Sequence, residues 1–189
     1  KEYSTAMSLI KQLELEDLKN QYFEAVYNSK ALLIRQEQFN LRSGGKSHAY
    51  LSHNHFLTNT EYVMLIAKIY ARLLEEKNGD YKIGIVDSVM SPVISTALAV
   101  LTKKNLAIIK CTKTEHGLKT DIFGDATGEV VLIDDLTTTG NTIIEAAKKI
   151  RSAGGTVTHA VVSTCRSDDA KKNLEQHGIK LLNLATFKE

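Results

Sequence analysis

The sequence predicts an α/β fold, an open parallel sheet covered on both faces by helices, with a small hairpin added on the N-terminal side. Three observations lead there. Short apolar runs alternate with helical stretches from about residue 81 onward. Gly154-Gly155 and Gly178 stand just past two of the helical stretches, where C-terminal caps favour glycine. Charged residues fall at the carboxyl ends of the apolar runs: Asp87, Lys110, Asp134-Asp135 and, a few residues past its strand, Arg166. In sheets of this kind, ligands sit beyond those ends.

Taken in order, residues 4–29 read as a helix through Leu9, Ile10, Leu13, Leu18, Phe23 and Val26. From about Ala31 to Leu57 the period changes. Phe39 and Leu41 alternate with polar neighbours, Ser43-Gly44-Gly45-Lys46 makes a turn, and Tyr50-Leu51 follow, which is a hairpin pattern. Asn59 to Lys77 returns to helical spacing through Val63, Ile66, Ile69, Tyr70, Leu73 and Leu74. Strands are expected at Tyr81–Val86, Leu106–Lys110, Glu129–Ile133, Thr156–Ser163 and Lys180–Leu184. Helices are expected at Pro92–Lys103, Asn141–Ala153 and Asp168–His177.

A chain of 189 residues suits one domain. Its first part, 1–57, holds the N-terminal helix and hairpin, and 58–189 forms the α/β core. Hydrophobic residues make up 43%, enough for a core, and the formal net charge of +2 comes with no basic stripe asking for nucleic acid. No apolar run approaches the ~20 residues that span a bilayer, so no membrane partner is expected. Cys111 and Cys165 form no metal or redox motif; they read as inert residues of a reducing, cytoplasmic protein. The opening Lys1-Glu2-Tyr3 has neither a signal peptide's apolar segment nor a Met, which reads as a trimmed start. His48, His53 and His55 cluster near the hairpin and read as a polar hairpin face in preference to a metal site.

The most informative segment is Val130-Val131-Leu132-Ile133-Asp134-Asp135-Leu136-Thr137-Thr138-Thr139-Gly140-Asn141-Thr142. It reads as a buried strand, two carboxylates, a hydroxyl-rich loop with one glycine, then a helix. Backbone N–H groups at a helix start bind phosphate with the help of the helix dipole, and the threonines add hydroxyl donors. Asp134 and Asp135 would repel a phosphate. They suit sugar hydroxyls, or a Mg²⁺ that bridges to phosphate. An anion cradle beside a diol site matches a phosphorylated ribose. The bland reading is a pair of acids at a strand end and ordinary capping of the helix at Asn141.

This segment resembles the phosphoribosyl-pyrophosphate (PRPP) motif of type I phosphoribosyltransferases. Phe39-Asn40-Leu41-Arg42-Ser43-Gly44-Gly45-Lys46-Ser47 resembles the N-terminal hairpin of orotate phosphoribosyltransferases. Cys165-Arg166-Ser167-Asp168 and Asn173-Leu174-Glu175-Gln176-His177-Gly178-Ile179 are similar to their C-terminal part, and Thr114-Glu115-His116-Gly117 to their mobile loop. The likeness runs from about residue 30 to the end.

The resemblance implies a type I phosphoribosyltransferase-like sheet with a hood formed by the hairpin. It implies transfer of ribose 5-phosphate from PRPP to orotate, with Mg²⁺ bound mainly through PRPP, in a cytoplasmic homodimer. By the same resemblance, Asp134 and Asp135 hold the ribose hydroxyls, and Leu136, Thr137, Thr138, Thr139, Gly140, Asn141 and Thr142 hold the 5′-phosphate. Lys110 belongs to the PRPP site. His116 and Lys113 act from the mobile loop. Arg42, Tyr50, Leu51, Thr138 and Arg166 face the base, Arg166 through a bidentate contact with a carboxylate.

The chain departs from that pattern in the loop Val86-Asp87-Ser88-Val89-Met90-Ser91-Pro92, where Met90 stands at a lysine position. It departs also at Lys110-Cys111, where an arginine-lysine pair is usual, at Thr114, where the loop's inner lysine falls, at Arg42, which replaces a lysine, and at Cys165, which replaces an acid. These changes leave two other readings open: transfer to a different base, and a non-catalytic PRPP-binding regulator.

Overall fold

The structure, a computed structural model, describes residues 2–40, 46–77, 79–110 and 121–186. The chain opens with α1 (Glu2–Asn28), followed by the antiparallel pair β1 (Leu32–Asn40) and β2 (Lys46–Leu51). Leu33 stands opposite Tyr50, and the register shifts between Ile34 and Phe39. A one-turn helix, α2 (His53–Phe56), leads to α3 (Thr60–Leu73), whose Asn59 cap accepts from the Glu61 amide at 2.9 Å. Next come β3 (Lys82–Ile85), α4 (Ser91–Thr102), β4 (Leu106–Ile109), β5 (Ile122–Phe123) and β6 (Gly128–Ile133). The chain closes with β7 (Leu136–Thr137), α5 (Asn141–Ser152), β8 (Gly155–Thr156), β9 (His159–Cys165), α6 (Asp168–Gln176) and β10 (Lys180–Thr186).

The main sheet runs β10-β9-β6-β3-β4-β5. Its first five strands are parallel neighbours, and β5 pairs antiparallel with β4 at the edge. Side-chain alternation along β6 divides the core between the two faces. Val131 and Ile133 pack with Tyr22, Ile66, Tyr70, Ile94 and Leu98 from α1, α3 and α4. Val130 and Leu132 pack with Ile143, Ala147, Ile150 and Leu174 from α5 and α6. All four β6 residues are at 0% exposure. Each such side chain stabilises the fold by roughly 1.5–3 kcal/mol, so the strand that leads into Asp134 is firmly held in the sheet.

Several expected boundaries differ. Helix α1 has the expected extent, but Leu9, Ile10, Leu13 and Phe23 are exposed, while Tyr22, Ala25 and Val26 are buried. Among the described side chains, its contacts with the core begin at Leu15, and Leu9, Ile10 and Leu13 before it face solvent. The strand expected at Thr156–Ser163 is two pieces. Thr156 pairs with Glu129 in a short β8, and the strand proper starts at His159 and continues to Cys165. Arg166 therefore follows its strand directly. Between the strands expected at Leu106–Lys110 and Glu129–Ile133, where no further strand was expected, the described residues contain β5. The turn Ser43–Gly45 lies outside the described residues.

Candidate active site

The carboxyl ends of β3, β6 and β9 meet beneath the hairpin. Strand β6 delivers Asp134 and Asp135 there, and the backbone around them is anchored on both sides. The Tyr70 hydroxyl on α3 donates to the Asp134 carbonyl at 2.7 Å. The Asp134 amide donates to the Val161 carbonyl, and the Ser163 amide to that of Asp135.

Asp134 is 5% exposed. Its Oδ1 accepts from the Ser88 hydroxyl at 2.7 Å and from the Asp135 amide at 3.0 Å. Burial, and secondarily the neighbouring Asp135 charge, push its carboxyl up to about 8, against the pull of the Ser88 hydrogen bond. Asp135 opens onto a pocket, and its Oδ2 lies 3.0 Å from His53 Nδ1.

Serines tie the β3 loop to this point. Ser91 Oγ donates to the Ile133 carbonyl at 2.5 Å and accepts from the Val86 amide at 3.0 Å, while Ser88 Oγ accepts from the Ser91 amide at 3.1 Å. Met90 packs against the hydrophobic core and also lines the pocket. The loop that departs from the family pattern is thus apolar at Met90 and negative at the exposed Asp87.

After the two acids the chain turns through β7 into α5. The Thr137 hydroxyl is buried and accepts from the Gly140 amide at 3.1 Å, so it closes the loop on itself. Gly140 has φ +82°, and a Cβ there would come within 2.9 Å of Leu174 Cγ; only glycine meets both conditions. Gly140 holds the cap position of α5 without a side-chain cap, in place of the Asn141 capping considered from sequence. Thr139, Asn141 and Thr142 are exposed around the first turn, and the Asn173 amide steadies the Thr139 carbonyl at 2.8 Å. The arrangement is an open helix start with hydroxyls beside it, suited to an anion.

The pocket, of about 150 Å³, brings together Tyr50, Leu51, Asp135, Leu136, Thr138 and Arg166. Arg166 is 8% exposed. Its amide donates to the Thr137 carbonyl at 2.9 Å, and Nη2 donates to the Ala49 carbonyl at 3.4 Å. Its guanidinium carbon sits 6.0 Å from the Tyr50 ring centre, and Tyr50 in turn packs on Phe39 at 5.4 Å. A buried cation beside an aromatic wall suits a flat, anionic ring. A roomier groove of about 520 Å³ runs between α1 and α3, past Gln21, Glu24, Tyr62 and Lys68. It lies away from the strand ends and gathers none of the residues above.

Lys110 is not among the pocket residues. Its ammonium lies over the Phe123 ring at 5.1 Å, and its carbonyl accepts from Lys149 Nζ. Arg42, Lys113 and His116 lie outside the described residues, as do Cys111 and Thr114. Cys165 is buried, and its thiol donates to the Ser167 carbonyl at 3.1 Å.

His53 was expected on a polar hairpin face and is instead 2% exposed beneath the site. His48 and His55 stay exposed, His48 beside Gln38 and the Arg35 carbonyl. His53, Tyr22, Tyr70, Ser88 and Ser163 are all at the site, yet sequence reasoning missed them. Each acts across a long chain separation, and no local motif marks them.

No protein-family model matches the sequence. The chain is similar to the orotate phosphoribosyltransferase of Methanocaldococcus jannaschii, 34% identical over 158 residues, covering 82% of this chain and 88% of that protein. Among solved structures it is similar to the orotate phosphoribosyltransferase of Aeropyrum pernix, with a TM-score of 0.76 at 25% identity, covering 86% of this chain and 92% of that one. It also matches the UMP synthase of Leishmania donovani, with a TM-score of 0.76 at 28% identity over 88% of this chain, which spans 36% of that longer protein. Among the described residues, no helix is long and apolar enough to cross a membrane. With the identity and mutual coverage of the Methanocaldococcus protein, the chain belongs to the orotate phosphoribosyltransferase family.

Proposed function

We propose that this chain transfers the 5-phosphoribosyl group of PRPP to orotate, giving orotidine 5′-phosphate and pyrophosphate. The observation that carries this reading is the meeting of two features in one pocket. The diol-type acid Asp135 opens onto the same space as Arg166 and Tyr50. A sugar site and an anionic-ring site are therefore close enough for one ligand to react with another.

Asp134 and Asp135 take the ribose hydroxyls. The first turn of α5, with Thr139, Asn141 and Thr142, takes the 5′-phosphate. Thr138 lies between these two sites, and Tyr50 and Leu51 form the wall for the base. Arg166 pairs with its carboxylate and fixes which ring nitrogen faces C1′. As the bond from C1′ to pyrophosphate breaks, the ribose gains positive character that the Asp135 carboxylate stabilises. His116 and Lys113 act on the departing pyrophosphate, and Lys110 backs that side.

The donor chemistry fits a Mg²⁺ carried by the substrate. Asp135 presents a carboxylate to the pocket, and Mg²⁺ characteristically uses one or two carboxylates with substrate phosphates and water. Bound there, it neutralises pyrophosphate charge. By the same family likeness the protein is read as a cytoplasmic homodimer, and light scattering tests the assembly.

Incubation with PRPP, Mg²⁺ and a panel of free bases tests the reading. Loss of orotate absorbance, with the other bases unchanged, is expected. Consumption of a different base alone would overturn it. The apolar, acid-bearing loop at Asp87–Met90 favours a second reading, PRPP binding without turnover; saturable PRPP binding with every base inert would support that one.

A further inference from the structure

We propose that His53 is a positioning residue that orients Asp135 toward the ribose, and that Tyr22 of α1 holds His53 in the required tautomer. The proposal rests on the reading of Asp135 as a ribose ligand.

His53 is buried between the site and the N-terminal helix. Nδ1 lies 3.0 Å from Asp135 Oδ2. On its other side, Nε2 lies 3.0 Å from the Tyr22 hydroxyl and 3.2 Å from Ser163 Oγ. Ser163 Oγ donates to the Asp135 carbonyl at 2.7 Å, so its proton is committed there. Tyr22 also has Thr164 Oγ1 at 3.1 Å and, more distantly, Ser163 Oγ at 3.5 Å. With His53 neutral and Asp135 ionised, the shorter contacts are all satisfied with no two donors facing each other. Thr164 donates to the Tyr22 oxygen, Tyr22 donates to Nε2, and Nδ1–H donates to Asp135 Oδ2. The tautomer of a histidine is set by the partner of its other nitrogen, and here that partner is a tyrosine from the N-terminal helix.

One carboxylate oxygen of Asp135 is thereby committed to the protein, which fixes the direction of the other. A carboxylate free to rotate would meet a diol in several poses; a tethered one meets it in one. The local sequence accounts for the arrangement. His53 begins the short helix α2 directly after β2, and its ring packs edge-on to Phe56 at 5.9 Å and near Tyr22 at 6.4 Å. The same turn that ends the hairpin thus inserts a donor under the sugar site.

The experiment compares His53→Asn with His53→Gln by PRPP titration in the presence of Mg²⁺. An asparagine amide reproduces the Nδ1 donor to Asp135, whereas a glutamine amide falls near Nε2 and faces Tyr22. We expect His53→Asn to keep the PRPP dissociation constant within about threefold, and His53→Gln to raise it roughly tenfold or more, the scale seen when a supporting hydrogen bond behind a ligand is lost. The Michaelis constant for orotate at saturating PRPP stays unchanged in both. Equal affinities in the two variants, whether both normal or both weakened, would overturn the proposal, since a purely structural histidine does not distinguish these amides. Tyr22→Phe gives an intermediate loss if the tautomer is set from α1; wild-type affinity in that variant would overturn the role of Tyr22. Asp135→Asn separates the two readings: normal PRPP affinity there would overturn the ribose assignment itself, independently of His53.

Discussion

The Ser88 hydroxyl donates to Asp134 Oδ1 across 2.7 Å, joining the loop after β3 to the end of β6. Asp134 is buried, and burial raises its carboxyl from an ordinary 3.8 to about 8 despite that hydrogen bond. Between those two values the folded chain holds a proton that the unfolded chain has released. Stability contributed by the protonated form is therefore complete below about 3.8, and is lost as pH rises toward 8. Asp134→Asn keeps an acceptor for Ser88 and removes the ionisation. Its stability relative to wild type should grow across that window and level off above it. The gain should be on the order of a few kcal/mol, at ~1.4 kcal/mol per pKa unit. Denaturant unfolding at pH 5, 7 and 9 measures this, and a difference that does not vary with pH would contradict the buried-acid account.

Gly140 sets the entry to α5. Gly140→Ala places a Cβ 2.9 Å from Leu174 Cγ at φ +82°. The strain of a non-glycine residue there, of order 1–3 kcal/mol, should lower the melting temperature and weaken PRPP binding together. Thermal unfolding and PRPP titration of one sample check it. A normal melting temperature would mean that Leu174 and the loop yield easily.

The central strands were legible because their physics is local. Val130–Ile133 is an apolar run bounded by Gly128-Glu129 before it and Asp134-Asp135 after it, and it lies in the middle of the sheet. Helix α3 declared itself through spacing, since Ile66, Ile69 and Tyr70 all point into one core. The exposed start of α1 was not legible, because its period is helical whether or not a sheet lies beneath it. The break before β9 was hidden too. Thr156-Val157-Thr158 has strand composition, and only the pairing of Thr156 with Glu129 reveals the interruption. At the site, the motif segment located the acids, the glycine and the helix start. His53 was misplaced because its partner Asp135 is 82 residues away, and three nearby histidines suggested a shared polar face that only His48 and His55 present.

Arg166 faces the pocket with Tyr50 beside it. Arg166→Ala should raise the Michaelis constant for orotate at least tenfold, the loss of one charge-assisted pair of hydrogen bonds, while that for PRPP changes little. Initial rates over a grid of both substrates separate the two constants. An equal rise in both would make the Arg166 side chain structural, acting through its contact with the Ala49 carbonyl.

Asp134→Asn combined with Asp135→Asn should abolish PRPP binding while the fold survives, because asparagine retains the shape of both side chains and removes the Asp135 charge and both carboxyl groups' capacity to accept from a diol on two oxygens. Calorimetric titration with PRPP and Mg²⁺, beside a circular dichroism spectrum, reads both properties. Normal affinity in a folded double variant would remove the diol assignment.

Pyrophosphate release from PRPP and Mg²⁺, measured with and without orotate, tests orotate phosphoribosyl transfer most directly. Release that depends on orotate and is stoichiometric with the orotate consumed is expected. No release with orotate present, in a sample that demonstrably binds PRPP, would contradict it.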